Sequence, residues 1–145
     1  MMNNASPLKP AAPVVLNRLL RILARSLPMY MEAAKPWSGG GQQPAQDALK
    51  SLVADQHRFA GRVAEAIFAG GGQPEPGPFP AAFAAMNDAS LDYLLRRVIE
   101  LLRGDLPAIE RCALELADAP EFRALAEEVL GNAQAHLDLL QGLTP

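Results

Sequence analysis

One cysteine, Cys112, stands in a chain of 145 residues, so no disulfide can form within it. So little sulfur chemistry suits a reducing compartment, and the cytoplasm is the expected location. Aromatic residues are only 6% of the chain although half of it is apolar. Alanine and leucine fill that apolar share and β-branched residues are few, which disfavours a large sheet. Positive charge is not in surplus: the net charge is −3 and the pI about 5.3. The arginines are interleaved with Glu and Asp rather than gathered in a stripe, so nucleic acid is not an expected partner. Long apolar runs are missing too. The one that starts at Val14 is interrupted by Asn17, Arg18, Arg21 and Arg25. It falls well short of the ~20 residues a membrane span needs, so no membrane partner is expected. Residues 1–13 lack the charged-then-apolar order of a secretory leader and read as a flexible arm.

What is present is a set of apolar stripes at helical spacing. Helices are expected over about 14–34, 45–69, 90–117 and 119–141, in a single domain over 14–142. Pro36 and the glycines 39–41 end the first, and Pro44 suits the first turn of the second. The glycines 70–72 stop the second helix. Residues 71–80 (GGQPEPGPFP) exclude helix because proline recurs every few positions. A short helical turn fits 81–88, and Asp88 or Ser90 reads as the N-cap of the third helix. Asp118 reads as the cap of the fourth.

The first and last connections are short, which makes their helices antiparallel neighbours. The crossover over 70–89 is long. A helix of that class is about 40 Å long, and nineteen extended residues reach about 60 Å. The crossover can therefore return along the whole bundle and leave the second and third helices parallel.

Two helical hairpins joined by one long crossover resemble the ferritin-like four-helix-bundle superfamily. The likeness covers 14–142 and is one of length and connectivity. A short echo between 23–28 (LARSLP) and 102–107 (LRGDLP) accompanies it. The fold it implies is an all-α, antiparallel four-helix bundle with a long crossover. Its metal-binding members carry a Glu on each of two helices and Glu-x-x-His on each of the other two. Here Ala54 stands three residues before His57, and Ala133 three before His136. With both motifs absent, no metal ligand carries over, a ferroxidase is not expected, and neither is a cofactor.

Five polar residues nevertheless fall on apolar stripes: Ser26, Gln56, Asp105, Asn132 and His136. The crossover topology puts them near the middle or upper half of a bundle. Two readings compete. In one they form an altered mid-bundle site, with Asp105 and His136 as ligands for a single metal ion such as zinc, which wants three or four good donors. In the other they are structural. Ser26 and Asp105 each precede a proline by two and would cap a helix restarted there. Gln56 and Asn132 would bond each other or set helix register, and His136 would be a hydrogen-bonded core histidine. His57 reads as semi-exposed beside Asp55, and Cys112 as buried packing.

The glycine runs lack the Gly-Lys-Ser/Thr ending of a phosphate loop. Trp37, Phe79 and Phe83 either plug the bundle ends or form an apolar patch for a partner protein, a second copy included. The reading that follows is a non-catalytic bundle for interaction, scaffolding or small-ligand binding, with an atypical metal-binding bundle as the alternative.

Overall fold

A computed structural model describes residues 10–34 and 42–143. The described residues are all-α and contain no strand: α1 (Ala12–Ala24), α2 (Leu27–Ala34), α3 (Gln43–Ala69), a 3₁₀ turn (Ala81–Met86), α4 (Leu91–Glu115) and α5 (Pro120–Gln141). None of these helices is long and apolar enough to cross a membrane.

Six helical segments stand where four helices and a short turn were expected, and the additional one arises from the chemistry of proline. The first expected helix breaks at Arg25–Ser26. Pro28 has no N–H to give Ala24 and its ring opposes that carbonyl. The Ser26 hydroxyl accepts the Met29 N–H at 3.2 Å and so caps the restarted α2. Pro107 has the same sequence context but α4 runs through it unbroken. There Leu102 and Ile109, on either side of the lost bond, are both buried in the core. Ser90 caps α4 by accepting the Tyr93 N–H at 3.1 Å. Ala119, not Asp118, is the N-cap of α5.

Side-chain pairs between helices give their directions. Gly72 lies against Pro13, so α3 ends where α1 begins. Arg18 bonds Glu115 at 2.9 Å, so α4 also ends there. Along the α3–α5 seam Asp55 meets Asn132 and His136, and Arg62 meets Glu128, an antiparallel order. The core between the helices is Leu16, Leu19, Leu52, Ile67, Leu94, Ile109 and their neighbours, all nearly inaccessible. Each such side chain contributes roughly 1.5–3 kcal/mol by leaving water.

The crossover runs back along α1 and α2, and its sequence explains how it is held. Pro74, Pro76, Pro78 and Pro80 offer carbonyls but no N–H. The donors come from one face of α1, at four-residue spacing. Asn17 Nδ2 donates to Gln73 O (2.9 Å) while its Oδ1 accepts Glu75 N–H (2.7 Å). Arg21 Nε donates to Glu75 O (3.1 Å) and Arg25 Nε to Pro76 O (2.7 Å). Gly77, at φ +70°, passes directly over the Arg25 guanidinium, and a Cβ there would lie 1.9 Å from Nη2. Further on, Tyr30 donates to Asn87 Oδ1 (2.8 Å) and meets Phe79 edge-on and Phe83 at a tilt.

Phe83 is therefore buried as part of this packing, and Phe79 lies over the same tyrosine with 37% of its surface exposed. Trp37, the third residue of the expected patch, lies outside the described residues, as do residues 1–9 of the arm.

Candidate functional site

The polar residues of the bundle interior sort into two groups. The first lies on the α3–α5 seam. Asp55 Oδ2 accepts a hydrogen bond from Asn132 Nδ2 (2.8 Å) and meets His136 Nε2 at 2.7 Å, and its Oδ1 accepts from Arg58 (3.2 Å). Burial by itself would raise the Asp55 carboxyl. Hydrogen bonds from Asn132, His136 and Arg58 outweigh it and hold the group below the ordinary aspartate value. An ionised Asp55 requires His136 to present Nε2–H toward it. The group is internally satisfied.

The second group lies between the α1–α2 junction, α3 and α4. Ser26 is placed there by the break before Pro28, and Gln56 by its position at the centre of the α3 stripe. Ser26 donates its hydroxyl to Gln56 Oε1 at 2.7 Å. Gln56 is only 6% exposed. Asp105 projects from α4 into the same space. Its carboxyl has no hydrogen bond or ion pair among the described residues, and burial pushes it up to about 7.

These side chains line a cleft of about 210 Å³, with Phe83, Ile22, Val98 and Leu101 as apolar wall and Arg21 and Arg25 among its lining residues. Behind Gln56 and Asp105 a void of about 10 Å³ continues inward to Asn132, between Leu52, Ile109 and Val129. That is no more room than one water needs. A larger groove, about 330 Å³, lies between α2 and α3 against Met31, Leu49 and Val53. Its polar lining residues are Glu32, Gln46 and Lys50, and Glu32 is already paired with His57.

Ser26, Gln56 and Asp105 are thus brought together. Asn132 borders the inner void but spends its amide on Asp55. His136 is engaged by Asp55 and not by Asp105, so the expected ligand pair is not assembled. No group of three or more His, Cys, Asp or Glu side chains among the described residues could hold a metal ion. The residues present do not fit the metal centre that the ferritin-like resemblance brings to mind. Of the structural alternatives, Ser26 does cap a restarted helix, while Gln56 and Asn132 bond other partners rather than each other.

Asp55, Arg21 and Arg25 are site residues that helical-wheel reasoning passes over. Their signal was present: Asn132 and His136, four apart on an apolar stripe, need an acceptor from the facing helix. Arg21 and Arg25, four apart beside a proline-rich crossover, need carbonyls. The remaining candidates are inert. Cys112 is buried with its thiol pushed up by burial, 3.9 Å from Val15 O. His57 is exposed and pairs with Glu32 at 2.8 Å.

No protein-family model matches this chain, and neither a curated protein nor a solved structure matches it. Function must be read from the site.

Proposed function

We propose that this chain is a non-catalytic, ferritin-like helical bundle, working in the cytoplasm, that binds a small polar ligand in the cleft of Ser26, Gln56 and Asp105. The ferritin-like reading is supported by two antiparallel hairpins and a crossover that travels back along α1. It treats α1 and α2 as one helix interrupted at Ser26.

The ligand-binding reading is carried by one observation. Asp105 is half-buried in the cleft with no hydrogen bond or ion pair among the described residues, and a polar group left so costs stability. Such a group is retained when something else satisfies it. Gln56 is half in the same position: its Oε1 is taken by Ser26, and its amide N–H groups have no partner among the described residues. Acceptor and donors therefore point into one cleft of small-molecule size. The Ser26 hydroxyl is spent on Gln56 Oε1 and the Met29 N–H and has no bond to Asp105, so no activated nucleophile is assembled among the described residues, and binding rather than catalysis is the reading.

The test is a screen of small polar metabolites by thermal shift, repeated on Asp105→Asn. Binders that stabilise the wild type and fail on the variant support the reading. Stoichiometric oxidation of ferrous iron by the purified protein would overturn its non-catalytic part. Protein grown with iron, manganese and zinc and then analysed by elemental mass spectrometry tests the metal alternative. A stoichiometric ion lost on Asp105→Ala would replace the small ligand with a metal.

A further inference from the structure

The cleft is electrically two-ended. Asp105 is the one acidic residue among those that line it, and it lies at the boundary with the inner void. Arg21 and Arg25 bring positive charge to the same lining from α1. Each donates through Nε to a crossover carbonyl. Arg25 has no other bond among the described residues, and Arg21 Nη2 only approaches Glu75 at 3.7 Å. A guanidinium has five N–H donors, so most of theirs remain to be used. Gly77 leaves room for the Arg25 guanidinium, which the bond to Pro76 O holds in place. The donors are thus positioned before any ligand arrives, which lowers the cost of binding.

A simple cation would satisfy Asp105 but would meet two arginines. A simple anion would satisfy the arginines but would be repelled by the aspartate. An uncharged molecule would leave both ends unanswered. At about 210 Å³ the cleft is smaller than the ~300–1,000 Å³ typical of pockets for drug-sized molecules. Its wall of Ile22, Val98, Leu101 and Phe83 suits a short apolar middle.

Resting on the reading of this cleft as a ligand site, we infer that its ligand is a small zwitterion with an ammonium and a carboxylate on an apolar body. An α-amino acid or a short ω-amino acid has that chemistry. The ammonium bonds Asp105, with the carboxylate turned to Arg21 and Arg25. Gln56 supplies N–H donors to a ligand oxygen between them.

The experiment is isothermal titration of the full chain with a panel of probes. The standard amino acids and 4-aminobutyrate are compared with butylamine and butyrate, which carry one charge each, and with butanamide, which carries none. The expected result is that at least one zwitterion binds and that each single-charge analogue is at least tenfold weaker. Asp105→Asn and the pair Arg21→Gln/Arg25→Gln should each lower affinity at least tenfold, in variants whose far-ultraviolet circular dichroism is unchanged. A measurement that needs no variant runs beside it: the bound zwitterion should shift the methyl resonances of Ile22, Val98 and Leu101 and spare those of Leu49 and Val53. Equal affinity for butylamine, butyrate or butanamide would overturn the zwitterion while leaving the cleft a ligand site. Shifts confined to Leu49 and Val53 would overturn it too. If no probe binds and the wider metabolite screen is also empty, the ligand-site reading fails and the inference fails with it.

Discussion

Asp55 and Asp105 are the same residue in two neighbouring settings of one bundle, and the structure treats them oppositely. Asp55 sits on the α3–α5 seam with Asn132, His136 and Arg58 bonded to it, and its carboxyl is held below the ordinary value. Asp105 faces the cleft with no partner among the described residues, and its carboxyl rises to about 7. The comparison separates two uses of a buried polar group. A satisfied network fixes how helices pack, and an unsatisfied one is a debt that a ligand can settle. Asp55 belongs to the fold, and Asp105 is the residue on which the proposed binding rests.

The largest effect should come from breaking the satisfied side. Asp55→Ala leaves the buried ring of His136 and the Asn132 amide without their acceptor. The expected loss is about 3 kcal/mol in urea unfolding. The wild-type pairing has a pH signature as well. A depressed carboxyl stabilises the fold above the unfolded value near 3.8 and loses that contribution as pH falls through the lower folded value. Asp55→Ala should therefore differ most from wild type near neutrality and least in strong acid.

Asp105→Asn sharpens the contrast because its sign is reversed. A raised carboxyl pKa means that the folded protein keeps a proton the unfolded chain releases. Wild-type stability should fall as pH rises from about 4 to about 7 and then level off. The neutral amide escapes that penalty. The variant should be more stable than wild type by about 2 kcal/mol at pH 8, and equal to it near pH 4. Parallel urea titrations at the two pH values check this.

Two smaller effects probe the frame of the cleft. Gly77→Ala places a side chain at φ +70° and into the Arg25 guanidinium. The expected loss is about 1–2 kcal/mol by thermal unfolding, with weaker ligand binding because Arg25 is displaced. Ser26→Ala removes the α2 cap and the Gln56 partner together, for a loss of about 1 kcal/mol. Its binding should weaken less than that of Asp105→Asn, since the charge of the site is untouched.

Much of the helical content was legible because the stripes are apolar and the breakers are concentrated at 36–41 and 70–80. The break at Ser26 was legible in principle, since serine two residues before proline is a capping arrangement. The same arrangement at Asp105 misleads, because α4 is held in the core on both sides of Pro107 and the aspartate side chain goes to the cleft instead. A helical wheel places residues on a face but not across a layer. It therefore found Asp105 and His136 on inward faces without revealing that His136 is bonded by Asp55. Asp55 itself lies one residue off the centre of its stripe, and only the position of α5 makes it a partner. The crossover was readable as non-helical from its prolines. That its carbonyls would be met by Asn17, Arg21 and Arg25 depended on the direction in which it returns.

Asp105 is half-buried and unpaired in the free protein, and its titration reads that state directly. Its carboxyl carbon can be followed by ¹³C NMR from pH 3 to 9, with Asp105→Asn used to assign the resonance. A midpoint near 7 is expected, with a fall of that midpoint when the cleft is filled by an ammonium-bearing ligand. A midpoint at or below the ordinary aspartate value, about 3.9, would mean that the carboxyl is solvated or paired, and would contradict the account.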